Sequence, residues 1–240
     1  EFLYLLASDA ESSVRAAVAA NEATPVQADL LLARDSDASV REDLAHKIAR
    51  LAPGLTSTEQ DRVRRATYEV LEILVQDQIS TVREILAEAL KDRADAPAEI
   101  VRHLARDTEI RVAGPVLEHS PLLTDAELLE IIGNPIEGAR TAIARRHGSG
   151  AKPADAIGES GDIDAIIALL ANPSAQIREE TLDRLIGRAP EVIAWHEPLV
   201  RRPRLSLDAV RRLADFVAAN LLQVLQERPD NIFAFLREQL

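Results

Sequence analysis

Apolar residues recur along this chain at helical spacing, in short blocks broken by acidic or amide turns. In the first block Val14, Ala17 and Val18 stand at i, i+3 and i+4, and Val82, Ile85 and Leu86 repeat the spacing later. Each block therefore predicts one helix with a single apolar face. A second apolar segment precedes each turn, as in Ala28 to Ala33 and Val70 to Leu74, and predicts a helix ending near the following acid. The unit is a pair of helices joined at a short polar turn. One pair cannot cover both of its apolar faces, so it must stack on its neighbours. No stretch shows strand alternation of useful length.

The turns carry the clearest pattern. Six times an Asp or Asn is followed five residues later by an aliphatic residue and, in all but one case, by Arg immediately after it. The positions are Asp9 and Arg15, Asp35 and Arg41, Asp77 and Arg83, Asn134 and Arg140, and Asn172 and Arg178. In the fourth copy Asp107 and Val112 are followed by Ala113 where Arg is expected. The intervals between Arg-equivalent positions are 26, 42, 30, 27 and 38 residues, centred on the length of an antiparallel helix pair. An Arg that comes with its own acid at constant spacing is an assembly device. Its guanidinium is expected to bond an acid of its own or the adjoining copy and fix the stacking.

The longer intervals hold extra turns, most plainly Ala52 to Thr56, with Ser57 and Thr58 as candidate N-caps for a helix through Leu74. Thr24-Pro25, Ala96-Pro97, Ser120-Pro121, His147 to Pro153 and Arg202-Pro203 punctuate the rest. From Ser206 to Glu227 one long amphipathic helix, apolar at Leu207, Val210, Leu213, Val217, Leu221 and Val224, is expected to cap the array. Phe233, Phe235 and Leu236 beyond it are expected to fold back on the cap or to continue past it. The expected division is a helical repeat array over residues 1–205 and a capping helix and tail over 206–240, packed on the same array.

Composition narrows the chemistry. With 47% hydrophobic but only 3% aromatic residues, the helices pack through aliphatic side chains. The absence of cysteine excludes disulfides, thiolate metal sites, iron-sulfur clusters and cysteine nucleophiles. The longest apolar run, Ala165 to Ala171, is far short of the roughly 20 residues a spanning helix needs. The opening EFLYLLASD has no basic region before its apolar run, so no secretory signal is expected there and the expected compartment is the cytoplasm. Forty acidic and 28 basic residues leave a net charge of -12, which opposes nonspecific binding to nucleic acid or anionic membranes.

The acidity is uneven. Residues 1–60 hold ten acidic and five basic side chains, whereas residues 199–212 hold five Arg and one Asp. The candidate binding residues follow from this: Arg145, Arg146 and His147 in one segment, with Arg140 before them, and Trp195, His196, Arg201, Arg202 and Arg204 in another. An Arg-rich patch beside the only Trp is a reasonable recognition surface. The competing account is that these cations sit at helix C-termini, where each is favourable by about 0.3–1 kcal/mol, while Trp195 fills a groove between copies. Among the five His no two stand at i, i+3 or i+4, so no helical metal pair exists. Nucleophilic triads, phosphate-binding glycine loops and dinucleotide fingerprints are missing too. No catalytic residue, metal or cofactor is expected.

The Asp-to-Arg spacing of six, on a helix-turn-helix unit of this size, resembles HEAT repeats. The stretch LASDAESSVRAAVAANEATPVQADLLLARD, with Asn21 and Thr24-Pro25, is closer to the leucine-rich-variant repeats of bacteria. As a whole, through stretches such as VLEHSPLLTDAELLEII and LLANPSAQIREETLDRLI, the chain is similar to a bacterial domain-of-unknown-function family built from degenerate repeats. The resemblance implies an all-α, right-handed α-solenoid of about six helix pairs, with the Asp and Arg side chains forming a ladder between neighbouring turns. The iron-sulfur module that accompanies one leucine-rich-variant protein cannot carry over without cysteine. HEAT-like iron hydroxylases carry repeated His-Glu pairs, and this chain has one, His196-Glu197.

The expected function is therefore a non-enzymatic protein-interaction scaffold in bacterial regulation or signalling, with another protein or peptide segment as partner. One alternative is a nucleic-acid-binding, DNA-repair-like protein, for which the acidic balance and few aromatics are a poor fit. Another is a small-molecule-binding repeat protein.

Overall fold

Two compact units, Glu1–His147 and Gly148–Leu240, divide the chain. The computed structural model describes residues 1–58, 60–202 and 205–226, the last ten of these as helical backbone alone. Among the described residues there are fifteen α-helices, two short 3-10 turns and no strand.

The first unit holds α1 (Phe2–Leu6), α2 (Ser12–Ala20), α3 (Val26–Leu32), α4 (Ala38–Leu51), α5 (Arg62–Leu74), α6 (Ser80–Leu90), α7 (Ala98–Ala105), α8 (Ile110–His119), α9 (Asp125–Gly133) and α10 (Ala139–Arg145). The even-numbered helices pack in chain order, α2 on α4, α4 on α6, α6 on α8 and α8 on α10. Their apolar positions explain the layer. Val40, Leu44 and Ile48 of α4, Val82, Leu86 and Leu90 of α6, and Val112 and Val116 of α8 are wholly buried, each set on a four-residue spacing that makes one stripe. The odd-numbered helices flank this layer, with α3 against α5, α7 against α8 and α9 against α10.

Helix ends follow local chemistry. Pro25 and Pro97 stand at the N-caps of α3 and α7, where an extended residue before the first turn suits proline's fixed φ. Thr124 and Glu127 form a reciprocal capping box at α9. At α5 the cap is Asp61, whose carboxylate accepts from the N–H groups of Val63 and Arg64, so the helix begins at Arg62 and not beside Ser57 and Thr58 as expected. Two donors to a carboxylate outweigh a hydroxyl cap further back.

The second unit holds α11 (Ala151–Glu159), α12 (Ile163–Ala171), α13 (Glu179–Arg188), 3-10 turns at Ala189–Glu191 and Ile193–Trp195, α14 (His196–Arg201) and α15 (Leu207–Gln226). Here α12 packs on α11 and α14, while α15 packs on α13 and α14. The expected division at 205 and 206 falls inside this unit. The expected single stripe on α15 also splits: Leu213 is 3% exposed, whereas Leu207 and Val210 are 80% and 47% exposed. Glu227, Phe233, Phe235 and Leu236 lie outside the described residues.

Candidate binding surface

Each ladder acid first makes its own turn. The Oδ1 atoms of Asp9, Asp35, Asp77 and Asp107 accept from the N–H two residues on, at 2.9, 2.9, 2.8 and 2.9 Å. That leaves the outer face of each carboxylate for a guanidinium. Arg15 takes Asp35 of the following copy with Nε and Nη2 at 2.6 and 2.9 Å, and donates Nη1 back to the carbonyl of its own Asp9 at 2.8 Å. Arg41 repeats this with Asp77 at 2.5 and 3.1 Å and the Asp35 carbonyl at 2.6 Å. Arg83 does so with Asp107 at 2.5 and 3.0 Å and the Asp77 carbonyl at 2.5 Å. Every rung thus ties an acid's backbone in one copy to a carboxylate in the next.

The rungs are well sheltered, with Arg side chains 12–14% and Asp side chains 5–7% exposed. The hydrogen bond from Arg15, with help from the Asp37 N–H, holds the Asp35 carboxyl below its usual range against the opposing effect of burial. Burial pushes Asp107 up, but bonds from Arg83 and the Glu109 N–H outweigh it and leave that carboxyl low as well. The same bonds raise the guanidinium pKa of Arg15, Arg41 and Arg83.

The ladder stops at Asp107. Ala113, in the place of the next Arg, is wholly buried. Arg140 turns its Nε to the Ile132 carbonyl at 3.0 Å, and Arg178 pairs with Asp155 at 2.9 Å. The expected rungs at Asn134 and Arg140 and at Asn172 and Arg178 are therefore corrected. An amide cannot offer the charge that holds a guanidinium bidentately, although Asn172 still closes its turn on the Ser174 N–H at 3.0 Å.

Over the ladder edge lie three hollows in one register. The first, of 320 Å³, is floored by Asp9, Arg15 and Asp35 and rimmed by Leu31 and Arg34. The second, of 460 Å³, is floored by Asp77, Arg83 and Asp107 and rimmed by His103 and Arg106. The third, of 290 Å³, lies between Asp107 and Asn134 and is rimmed by Arg106, Glu130 and Ile131. In each, a rim residue stands four positions before the second copy's acid or amide: Leu31, His103 and Glu130. In the first two, Arg34 and Arg106 stand one before it. In the first two hollows the floor guanidinium is held by at least three hydrogen bonds, so that floor is rigid while the rim differs from copy to copy. Arg34 has no carboxylate partner among the described residues and reaches only the Leu30 carbonyl at 3.3 Å.

The basic segments turn out differently. Arg145, Arg146 and His147 belong to the first unit, and Trp195, His196, Arg201 and Arg202 to the second. Arg146 donates to the carbonyls of Leu117, at 3.2 Å, and Ser120, at the end of α8. Arg202 donates to those of Leu170, Asn172 and Ala175, at 3.3, 3.3 and 2.8 Å, around the end of α12. Burial lowers the pKa of both. Trp195 is wholly buried with Arg188 5.4 Å over its ring, and its Nε1 finds no partner among the described residues. His196 bonds the Ala189 carbonyl at 2.7 Å and tilts against Phe216 with ring centroids 4.9 Å apart. Arg145 and His147 are exposed, and Arg201 pairs on the surface with Glu197 at 2.8 Å. Arg204 lies outside the described residues.

A second buried cation sits in the first unit. Lys47 of α4 is 1% exposed and bonds Asp29 of α3 at 2.5 Å and the Asn21 carbonyl, at the end of α2, at 3.3 Å. Burial pushes the Asp29 carboxyl up against the pull of Lys47. Among the described residues no group of three or more His, Asp or Glu side chains gathers to hold a metal, and no helix is long and apolar enough to cross a membrane.

The rim residues Arg34, His103 and Arg106 carry a signal that sequence reading passed over, their constant offset from the ladder acids. A family model described as an uncharacterised protein conserved in bacteria (DUF2336) matches residues 112–231, beginning just past the last ladder acid. No curated protein and no solved structure matches the chain.

Proposed function

The chain belongs to the bacterial family DUF2336, and from that premise we propose that it is a non-enzymatic protein-interaction scaffold. On this reading its stacked helix pairs are HEAT-like repeats of a right-handed α-solenoid, and a segment of another protein docks along the ladder edge. The observation that carries the reading is the set of three hollows along the ladder edge, the first two with the same Asp-Arg-Asp floor and all three with differing rims. Rigid floors cost little ordering on binding, and varied rims give each position its own preference. Neighbouring helix layers lie about 8–10 Å apart, close to the span of three residues of an extended chain, so an extended segment would advance one copy roughly every three residues.

Charge favours a protein partner over a polyanion. Residues 1–147 carry 26 acidic and 17 basic side chains, a field that opposes nucleic acid. The reading is tested by quantitative capture from a bacterial extract, comparing the wild type with Arg34→Glu and Arg106→Glu combined. These exposed rim changes leave the ladder intact. Proteins retained by the wild type and lost from the variant are expected; an identical retained set would refute the ladder edge as the docking surface. Salt-sensitive binding of DNA at low ionic strength would move the assignment to nucleic acid.

A further inference from the structure

The first two hollows are one site built twice. Every residue that lines the first has a counterpart lining the second at the same offset from a ladder acid. The Asp-Arg-Asp floor recurs, as do the rim Arg just before the second acid, Arg34 or Arg106, and a hydroxyl just after it, Ser36 or Thr108. They differ chiefly at two rim positions. Ser8 and Leu31 of the first are Gln76 and His103 in the second.

What a hollow can offer a ligand depends on which polar atoms are already spent, and in the second the acids are spent. Asp77 accepts from the Ile79 N–H at 2.8 Å and from Arg41 at 2.5 and 3.1 Å. Asp107 accepts from the Glu109 N–H at 2.9 Å and from Arg83 at 2.5 and 3.0 Å. The exposed side chains left around that neutralised floor can all donate: the Gln76 amide, the His103 ring, the Thr108 hydroxyl and the Arg106 guanidinium. The first three of these make no hydrogen bond among the described residues. Arg106 reaches Glu130 at 2.7 Å, but that pair lies on the surface, with side chains 40% and 68% exposed, and such a pair contributes little. Its guanidinium can turn to a ligand without stranding a buried charge.

The first hollow has a different balance. Asp9 accepts from the Glu11 N–H at 2.9 Å, and no guanidinium among the described residues takes its other carboxylate oxygen, so an acceptor stays open in the hollow that Arg34 rims. Leu31, 45% exposed, stands where the second hollow has His103.

We propose that the second hollow, and not the first, receives an acidic side chain of the docked segment, an inference that rests on the ladder edge being the docking surface. A carboxylate there accepts from Arg106, with the Thr108 hydroxyl and the His103 ring lining the same 460 Å³, and charge-assisted bonds of this kind are the strong ones. The acidic balance of the whole unit opposes a polyanion, but at physiological salt it is screened beyond about 8 Å, so one carboxylate answers to the donors beside it.

The experiment is selection on the full chain of random phage-displayed peptides of about twelve residues, long enough to follow about four copies when extended. Enriched peptides are expected to carry Asp or Glu at one position. Selection on Arg106→Glu is expected to replace that preference with Lys or Arg, whereas Arg34→Glu leaves it in place. In a synthetic peptide from the wild-type selection, changing the selected acid to its amide should weaken binding at least about tenfold, and less than about twofold when the protein carries His103→Leu with Arg106→Leu. All of these substitutions are at exposed positions. Peptides that the combined Arg34→Glu and Arg106→Glu variant no longer binds, but that show no acidic position or keep it on Arg106→Glu, overturn this inference and leave the ladder edge as the docking surface. Peptides that the combined variant still binds, or no enrichment at all, overturn both.

Discussion

In the first three copies an Arg reaches forward to a carboxylate of the next copy, whereas Arg146 and Arg202 reach back to the backbone carbonyls that end an earlier helix. Both place a sheltered guanidinium between helix pairs. They differ in what they ask of the neighbour. A rung needs an acid at one position of the following copy, so both residues must be kept together. A carbonyl cap needs only that the earlier helix end there, since every helix leaves its last carbonyls without intrahelical partners. Stacking held by backbone caps tolerates drift in the turn residues, which accounts for Asn134, Asn172 and Ala113 standing where the early copies have Asp and Arg.

The comparison can be broken hardest at Lys47, which combines both modes by bonding Asp29 and the end of α2. Lys47→Ala strands a buried carboxylate and is expected to lower the unfolding free energy of the first unit by about 3–5 kcal/mol in denaturant titration. Lys47→Met with Asp29→Leu should recover most of that loss. Next comes Arg202→Ala, which leaves three carbonyls around the end of α12 without their donor and should cost about 2–3 kcal/mol. Arg202→Lys should recover little, because one ammonium cannot span the same three acceptors.

A single rung is smaller. Asp107→Asn should cost about 1–3 kcal/mol, read with Arg83→Ala in a double-mutant cycle. Acid removes rungs without mutation. The Asp35 and Asp107 carboxyls sit below their usual value when folded, so their contribution is complete above about pH 4 and is lost as pH falls through the folded values. Asp29 has the opposite sign. Its folded value is raised, so its contribution is complete below the unfolded value near 3.9 and declines as pH rises through the folded one. Hydrogen exchange across pH 2–6 should show protection in α4, α6 and α8 falling with acid before that in α12 and α14. The smallest effect separates the two regions most cleanly: Asn134→Asp, where no rung Arg pairs with the position, should stay within about 0.5 kcal/mol by thermal unfolding.

The ladder could be read from sequence because both of its residues recur at a constant offset. Its partners could not, because each Arg pairs with an acid 20, 36 or 24 residues on, and those distances follow the irregular lengths of the intervening helices. A helix-end place for Arg146 and Arg202 was open to sequence reading as the competing account, but which earlier helix each caps was not, since a backbone carbonyl is the same whatever residue bears it. Sequence clustering made them look like a binding patch when helix ends had already taken them. On α15 the sequence pattern places Leu207, Val210 and Leu213 on a single apolar stripe, which the fold separates into a covered arc at Leu213 and an open one at Leu207 and Val210. Periodicity finds an apolar arc but does not say how much of it the chain will cover.

Asp107 accepts from Arg83, yet its own copy has Ala113 and passes nothing on. A copy bearing both residues works as a coupler with a socket on one side and a plug on the other. Such a copy can be duplicated or lost from the interior without leaving a mismatch, because the copies on either side still fit each other. The fourth copy has only the socket. It is a terminator, and the length of the ladder is set there, by one missing side chain, however many couplers precede it.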